Sequence, residues 1–344
     1  MNYSIKQLLS SSSSIEIIDT ELLLAFSLKK PREFIIAHPE SELSFFEYLK
    51  FKNFLRKRKS GIPLAYIIGH KDFFGLDFLV NKHTLVPRPD TEILVEAVVD
   101  ELIINNYPPS PIGTTDGRGK LIIGGTLIDV GTGTGCIPIA ILTALKQTNV
   151  TTVIPNLIGN PEKNNKKTIK CFAIDISKPA LRIAKKNAKK HQVDINFLQG
   201  NLLEPFANAP FSMFHDPLVI TANLPYLTQE QFNEEPSIRH EPRSALVAGD
   251  NGLDLYKKLI EQVGRLQLRI TRLRPIGLRT VEENYFIRHS SKAKANELRI
   301  FLFLEIDPVQ STPLSDYIKT IFPNAKIEIK KDLAGRDRVL FIVL

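Results

Sequence analysis

The last two thirds of this chain alternate strand-like apolar runs with helix-forming segments, and this alternation constrains its fold more than any other feature. The strand-like runs are rich in Val, Ile, Leu and Phe, which is typical of strands buried on both faces. Strands and helices that alternate at this pace predict a mostly parallel sheet with helices on both faces. The predicted strands are 126–130, 170–174, 218–222 and 299–306, followed by helices at 137–146, 178–191, 253–263 and 314–322. Two further strands, 325–330 and 338–344, are close together in sequence, so we predict that they pair antiparallel.

The first quarter of the chain has a different pattern. Apolar residues recur at helical spacing in 15–26 and 45–55, which predicts helices. An aromatic and β-branched run around Gly75 predicts a hairpin. Thr91 and Glu92 then occupy the cap and first-turn positions of a helix. We therefore predict a helical domain at 1–63, a hairpin linker at 64–86 and a main domain at 87–344, with insertions near 147–168 and 265–298.

Composition argues against several classes of protein. The 344 residues include no apolar run long enough to cross a membrane, and serines at 10–14 occupy the place where a signal peptide would need apolar residues. Cys136 and Cys171 have no disulfide pattern and no metal-ligand spacing. The basic residues behind the net charge of +8 are spread rather than clustered, so no obligatory nucleic-acid partner is expected. We predict a cytoplasmic monomer without a membrane anchor or a bound metal.

A glycine-rich turn lies directly between the first predicted strand of the main domain and its helix. Its sequence is Asp129-Val130-Gly131-Thr132-Gly133-Thr134-Gly135. Glycines at this spacing allow a tight turn and the close approach of a ligand to the backbone. No Lys-Ser/Thr pair follows, which argues against a nucleotide-phosphate loop. Glycines also simply make turns, so the motif needs support from its surroundings.

Asp175 supplies that support at the end of the next predicted strand. A carboxylate there can accept hydrogen bonds from both hydroxyls of a ribose. It follows Gly135 by 40 residues (175 − 135), and removal of the 22-residue insertion at 147–168 leaves 18 (40 − 22). The distance expected for a ribose-binding acid is about 20 residues. A helix cap or a solvated strand end is the alternative role, and the glycine turn favours ribose binding.

The tetrapeptide Asn223-Leu224-Pro225-Tyr226 ends the third predicted strand, at the edge where open α/β sheets bind ligands. An amide nitrogen is planar and a poor nucleophile because its lone pair is delocalised. The Asn223 side-chain oxygen and the Leu224 carbonyl can accept its two N–H groups, which orients the nitrogen and stabilises the positive charge that develops during attack on a sulfonium methyl. Tyr226 can stack on the planar group, and Pro225 fixes the turn. An ordinary turn is the alternative.

With these motifs in place, the sequence resembles the HemK/PrmC family, the N5-glutamine methyltransferases of class-I peptide-chain release factors. The resemblance covers nearly the whole chain outside the insertions. Beside the glycine turn and the tetrapeptide, it rests on GIPLAYIIG at 61–69, FFGLDF at 73–78, LVPRPDTE at 85–92, EPRSALVAGDNGL at 241–253, LEID at 304–307 and KDLAGRDRV at 331–339.

The resemblance implies the α/β fold of class I S-adenosylmethionine-dependent methyltransferases, which is Rossmann-like, with a mostly parallel sheet and an antiparallel last strand. It implies that S-adenosyl-L-methionine is bound by Asp129, Gly131, Thr132, Gly133, Thr134, Gly135, Asp175, Asn201, Leu202 and Asn223. It also implies that residues 223–226 hold the glutamine of a Gly-Gly-Gln loop on a release factor, with Asn223, Pro225 and Tyr226 in catalytic positions. The N-terminal helical domain would help to dock this partner.

Two places depart from the family pattern. Leu224 replaces the first proline of Asn-Pro-Pro-Tyr, and Asn-Leu-Pro-Tyr resembles the motif of rRNA adenine dimethyltransferases. Asn201 and Leu202 replace an Asp followed by an aromatic residue, which predicts looser or differently satisfied packing against adenine. The alternatives are therefore a ribosomal-protein glutamine methyltransferase, a nucleic-acid adenine N6-methyltransferase and a cofactor-binding module without activity. Arg88 is predicted either to contact the substrate backbone or to pair with an acid that braces the hinge.

Overall fold

The computed structural model describes residues 3–12, 15–105, 125–147, 169–249, 251–272 and 298–344. The N-terminal part is helical, as predicted, because its apolar residues share one buried cluster that includes Leu23, Phe51 and Phe54. Its helices are α1 (Ile5–Ser11), α2 (Ile17–Leu28), α3 (Arg32–Ala37), α4 (Phe45–Lys59) and α5 (Leu64–Ile68). A two-residue ladder, β1 (Tyr3–Ser4) with β2 (Glu42–Leu43), was not predicted, since strands this short leave no alternating pattern.

The predicted hairpin around Gly75 is confirmed. It consists of β3 (His70–Phe73) and β4 (Leu76–Leu79), which pair antiparallel. Phe74 and Gly75 at the turn have φ angles of 52° and 68°, the left-handed conformation that a two-residue hairpin turn requires. The hairpin is held to the main domain by Asn187, which accepts from Leu79 N at 2.8 Å and donates to Leu79 O at 3.0 Å.

The main domain is the predicted α/β structure with a seven-stranded sheet in the order β10-β11-β9-β8-β5-β6-β7. Strands β5 to β9 are parallel, and β10 and β11 pair antiparallel, as predicted. The strands are β5 (Gly125–Val130), β6 (Ile169–Asp175), β7 (Asn196–Gln199), β8 (Leu218–Ala222), β9 (Ile300–Glu305), β10 (Lys326–Lys331) and β11 (Asp337–Val343). The helices are α6 (Glu92–Asp100), α7 (Cys136–Gln147), α8 (Lys178–Lys190), α9 (Gln229–Glu234), α10 (Asp254–Arg272) and α11 (Ser311–Ile321).

Two features of the main domain correct the predictions. The edge strand β7 was missed, because it has only four residues and none of them is buried. The helix predicted at 253–263 continues to Arg272, and Leu266 and Ile270 extend its buried stripe, so residues 265–272 of the predicted insertion are helical. The rest of that insertion (273–297) and residues 148–168 of the other one lie outside the described residues.

Hydrophobic clusters cover both faces of the sheet. One cluster joins the sheet to α6 and α7 through residues such as Val98 and Ile141, and the other joins it to α10 and α11 through Tyr256 and Leu314. Strand β5 is buried along its whole length, as a strand at the centre of a two-sided sheet must be. Among the described helices, none is both long and apolar enough to cross a membrane.

Candidate active site

The predicted site residues meet at the carboxyl edge of the sheet, around the end of β5. Strand β5 lies between β6 and β8: the chain adds β6 and β7 on one side of β5 and then β8 and β9 on its other side, so the strand order reverses at β5. Such a switch point opens a crevice in which α/β proteins bind ligands. The glycine turn follows β5, Asp175 ends β6, Asn223 follows β8 and Glu305 ends β9.

The glycine turn has the backbone conformation that its sequence predicts. Gly131, Gly133 and Gly135 have φ angles of 75°, 54° and 79°, which side chains with a Cβ rarely adopt. A Cβ on Gly135 would lie 3.2 Å from the Cβ of Ala184, so this glycine permits close packing against α8. A Cβ on Gly133 would meet nothing nearer than 4.0 Å. The middle of the turn is therefore open to a ligand.

Asp175 is held against this turn rather than exposed at a strand end. Its Oδ2 accepts from Gly133 N at 2.8 Å, and its Oδ1 accepts from Ser177 N at 2.7 Å. Burial raises the pKa of this carboxyl, and the two backbone N–H groups act in the opposite direction. Each oxygen keeps a second lone pair for a ribose hydroxyl. The cap of α8 is Ser177, whose Oγ accepts from Ala180 N at 3.3 Å.

Asp129 is the most completely buried carboxyl of the site. Its Oδ1 accepts from Thr221 Oγ1 at 2.7 Å, whereas its Oδ2 has no hydrogen-bond partner. Burial raises its pKa from 3.8 to about 6, against the opposite effect of the hydroxyls of Thr132 and Thr221. The hydroxyl of Thr132 is close enough to Asp129 to lower its pKa, but it is likewise buried and has no partner at ordinary hydrogen-bond geometry. Unsatisfied buried polar atoms are rare, and these two suit a ligand that carries a cationic, hydrogen-bonding group.

Asn201 and Leu202 lie beside Asp175, because Gly200 N donates to Asp175 O at 3.1 Å. Leu202 has a φ of 55° and is 6% exposed, packed in the core with Leu203 and Phe206. Little of its side chain is free to contact a ligand, so its contact with adenine stays a prediction.

Asn223 is oriented by two polar side chains that are distant in sequence. Its Nδ2 donates to Glu305 Oε2 at 2.8 Å and to Thr91 Oγ1 at 3.1 Å. Thr91 is the N-cap residue of α6 and Glu92 lies in its first turn, as predicted, although the Thr91 side chain makes no capping hydrogen bond. Glu305 was present in the LEID segment, but nothing in the sequence assigned it a role. Its position directly at the end of a buried strand was the one available signal.

Leu224 is anchored by Tyr256. Leu224 N donates to Tyr256 Oη at 3.1 Å, and the Tyr256 hydroxyl donates its one proton across a short contact to Glu305 O. The Leu224 carbonyl lies 3.4 Å from that hydroxyl and keeps a second lone pair that can accept a substrate N–H. A Cβ on Gly131 would lie 3.1 Å from Leu224 Cδ2, so the leucine packs over the glycine turn.

Asn223 also lines a cleft of about 430 Å³. Tyr226 lines it, and burial raises the pKa of its phenol to about 12, so the ring is neutral at physiological pH. Arg88 also lines the cleft while it forms an ion pair with Glu241, whose Oε2 accepts from Val86 N at 2.9 Å. The predicted pairing of Arg88 with an acid is thus observed, and its contact with substrate stays a prediction. The lining residues are Leu85, Arg88, Asn223, Tyr226, Leu227, Gln231, Glu234, Glu235, Ile238, Ala245, Leu246 and Glu305.

The segment before α6 connects this site to four other parts of the chain. Arg88 pairs with Glu241, Asp90 with Arg338 at 3.0 Å, Thr91 with Asn223 at 3.1 Å and Glu92 with the backbone of Phe74 at 2.8 Å. The LVPRPDTE motif therefore acts as a structural brace in which Arg88, Asp90, Thr91 and Glu92 each have a different partner.

The chain is similar in sequence to proteins of known name. Residues 1–69 match the family model described as the PrmC N-terminal domain. Release factor glutamine methyltransferase of Bacillus subtilis (strain 168) is 29% identical over 93% of this chain and 88% of that protein. The protein of the same name from Enterococcus faecalis is 29% identical over 88% of this chain and 84% of that protein. The structure of a protein-(glutamine-N5) methyltransferase (release factor-specific) from Alicyclobacillus acidocaldarius is 21% identical, with a TM-score of 0.33 over 77% of this chain and 98% of that chain.

These matches confirm the resemblance to the HemK/PrmC family, since residues 1–69 match the PrmC N-terminal domain and 93% of the chain aligns with a protein named release factor glutamine methyltransferase.

Proposed function

We propose that this chain transfers a methyl group from S-adenosyl-L-methionine to the side-chain amide nitrogen of a protein glutamine, and that the substrate is the Gly-Gly-Gln glutamine of a class-I peptide-chain release factor. One observation carries the proposal most. Asn223 lines an open cleft at the end of β8, next to the strand that leads into the glycine turn, with its Nδ2 held by Thr91 and Glu305. The names of the relatives support the choice of substrate.

The residues around the glycine turn fit the proposed cofactor. S-adenosyl-L-methionine would supply an electrophilic sulfonium methyl and an ammonium group. The open backbone at Gly133 provides room for it, and Asp175 offers free lone pairs for ribose hydroxyls. The buried and unpartnered Oδ2 of Asp129 and the Thr132 hydroxyl suit its polar, cationic end. Asn201 and Leu202 would border the adenine side.

The chain itself positions the nitrogen that is methylated. Asn223 Oδ1 and the Leu224 carbonyl accept the two N–H groups of the glutamine amide, which places its nitrogen between the cleft and the glycine turn. As the nitrogen attacks, positive charge develops on it, and these two fixed oxygens stabilise that charge without reorganising. Tyr226 contacts the planar face of the amide, and Pro225 keeps the turn rigid. The methylated nitrogen then loses a proton to water, since a protonated amide is a strong acid.

The charges around the cleft favour a protein substrate over a nucleic acid. Glu234, Glu235 and Glu305 line it, against Arg88 as the one basic residue among its described lining residues. An adenine methyltransferase would need a basic channel to hold phosphates near the flipped base. The acidic lining would repel a polynucleotide. The similarity of the Asn-Leu-Pro-Tyr sequence to an adenine methyltransferase motif therefore does not make adenine the better proposed substrate.

Transfer of a labelled methyl group tests the proposal directly. The expected result is label on purified release factor, and loss of label when the Gln of Gly-Gly-Gln is replaced by Ala. The wild-type ribosomal proteins and total RNA of the same cell serve as competing acceptors. Label that stays on the substituted release factor, or that appears only on a ribosomal protein or on RNA, would overturn the substrate assignment. Tight binding of cofactor without label on any acceptor would instead indicate a binding module.

A further inference from the structure

Three polar side chains, those of Asn223, Thr91 and Glu305, are hydrogen-bonded to one another in a closed triangle. The Nδ2 of Asn223 donates to both Thr91 Oγ1 and Glu305 Oε2, and the Thr91 hydroxyl donates to the Glu305 carboxylate. Thr91 and Glu305 are 2% and 4% exposed, so water competes little for these bonds. We propose that Glu305, with Thr91, is a positioning residue that fixes the orientation of the Asn223 amide, so that Oδ1 and not Nδ2 faces the substrate nitrogen. This inference rests on the proposed function.

The orientation of an asparagine amide is set by its partners, because its oxygen and nitrogen ends have nearly the same shape. An ionised carboxylate only accepts hydrogen bonds, so Glu305 binds the NH₂ end of Asn223 and repels the oxygen end. Among the described residues, no donor contacts Asn223 Oδ1, and Asn223 lines the cleft. Oδ1 is therefore the end of the Asn223 amide that remains available to a substrate amide in the cleft.

The opposite orientation would be unproductive. With Nδ2 towards the cleft, an N–H donor of Asn223 would meet the N–H donors of the substrate, and no charge stabilisation would remain. Misplacement of a reacting group by about 1 Å can reduce a rate by about 10²-fold, and reversal of a donor and an acceptor is a larger error. Glutamine at position 305 would permit both orientations, because its own amide can either accept or donate.

The protonation state of Glu305 also makes the orientation of the Asn223 amide depend on pH. Burial raises the pKa of Glu305 from 4.5 to about 7, against the effect of the Thr91 hydroxyl. Below that pH the protonated carboxyl can donate to Asn223 Oδ1, and the preference between orientations is lost. We therefore expect kcat to fall as pH drops through about 7. The titratable and charged groups that face Glu305 are Asp90, Arg338, Tyr226, Tyr256 and Cys136.

The test compares Glu305→Gln with the wild type and with Asp316→Asn, which removes the same charge from an exposed position on α11. Methyl transfer to release factor is measured from pH 5.5 to 9, together with binding of S-adenosylhomocysteine. The expected result for Glu305→Gln is a loss of about 10- to 10²-fold in kcat, little change in KM or in product binding, and loss of the acidic limb near pH 7. Asp316→Asn should match the wild type.

Thr91 provides an independent pair of variants. Thr91→Ala removes the second acceptor for Asn223 Nδ2 and should lower kcat, whereas Thr91→Ser keeps the hydroxyl and should restore it. The inference would be overturned if Glu305→Gln had the kcat and the pH profile of the wild type. Equal rates for Thr91→Ala and Thr91→Ser would also overturn it. If the wild type itself transfers no methyl to release factor, the proposed function fails instead, so the two failures are distinguishable.

Discussion

At the scale of single residues, Asn223 depends on partners far along the chain. Thr91 lies 132 residues before it and Glu305 lies 82 residues after it, yet both contact its Nδ2. Leu224 is fixed in a comparable way by Tyr256, 32 residues away. The two atoms proposed to hold the substrate, Asn223 Oδ1 and Leu224 O, are therefore placed by a buried polar network and not by the turn alone. Such networks are stable only when each member is satisfied.

Replacement of Asn223 tests the most important residue of the proposed reaction. Asn223→Ala removes one of the two acceptors for the substrate amide, and we expect kcat/KM for methyl transfer to fall by about 10²- to 10³-fold. Asn208→Ala, at an exposed asparagine outside the cleft lining, is the matched control and should keep wild-type activity. Steady-state kinetics with release factor as substrate measure both. A loss of less than twofold in Asn223→Ala would show that Asn223 does not hold the reacting nitrogen.

At the scale of elements, two turns use left-handed glycines for different purposes. Gly75 turns the β3–β4 hairpin, and a Cβ there would meet no atom within 4 Å. Gly131 begins the glycine turn, and a Cβ there would lie 3.1 Å from Leu224 Cδ2. The backbone requirement is similar at both positions, since their φ angles are 68° and 75°. They differ in their surroundings, because the space beside Gly75 is open, whereas the space beside Gly131 is occupied by Leu224.

This difference predicts separate outcomes for alanine at the two turns. Both Gly75→Ala and Gly131→Ala place a Cβ in the left-handed region, which should lower the free energy of unfolding by about 1–2 kcal/mol in each. Only Gly131→Ala also displaces Leu224, so it alone should lose roughly tenfold or more in kcat. Urea unfolding and methyl-transfer kinetics on the same preparations separate the two effects. Equal kcat in both variants would show that the packing of Leu224 over the turn does not matter for the reaction.

At the scale of the whole molecule, the carboxyl edge of the sheet concentrates negative groups in a chain with a net charge of +8. Asp129, Asp175 and Glu305 are each less than 10% exposed, and burial raises the pKa of all three. Ionised carboxylates cost free energy when they are buried without a cation. The fold therefore gives up stability at this edge, and a positively charged ligand such as S-adenosyl-L-methionine offsets that cost.

The stability of the ligand-free protein should therefore depend on pH with a definite sign. Because the pKa values of Asp129 and Glu305 rise from 3.8 and 4.5 to about 6 and about 7 on folding, the folded state binds more protons. The stability from these groups is fully present below pH 4 and is lost as pH rises through about 7, by on the order of 3 kcal/mol each. Denaturant unfolding of the ligand-free protein between pH 4.5 and 8.5 measures this loss.

Neutral variants isolate the contribution of each carboxyl to that loss. Asp129→Asn and Glu305→Gln should each flatten the fall in unfolding free energy, whereas Asp316→Asn, at an exposed position, should follow the wild type. Saturating S-adenosylmethionine should raise stability more at pH 8 than at pH 5. A wild-type stability that rises with pH over this range, with both neutral variants following it, would contradict the assignment.

The sequence by itself determined the fold class, the strands that lead into each motif and the chemistry that those motifs can perform. Hydrophobic periodicity and turn residues are local signals, so they predicted the parallel sheet, the antiparallel last pair and the Gly75 hairpin. The chemistry of Asn223–Tyr226 was likewise readable, since it depends on the residue types themselves. The short edge strand β7 and the true end of α10 were missed, because their local patterns are weak or continue into an apparent loop.

Only the tertiary structure decided which side chains contact one another at the carboxyl edge. The strand order places β9 next to β8, which brings Glu305 to Asn223, and the brace before α6 brings Thr91 to the same amide. The tertiary structure also pairs Arg88 with Glu241, and it leaves Asp129 Oδ2 buried without a hydrogen-bond partner. No local pattern carries this information, because residues 82 or 132 positions apart meet only after the sheet is assembled. Asn223, whose amide is proposed to hold the substrate, could be named from the sequence, but the orientation of that amide could not.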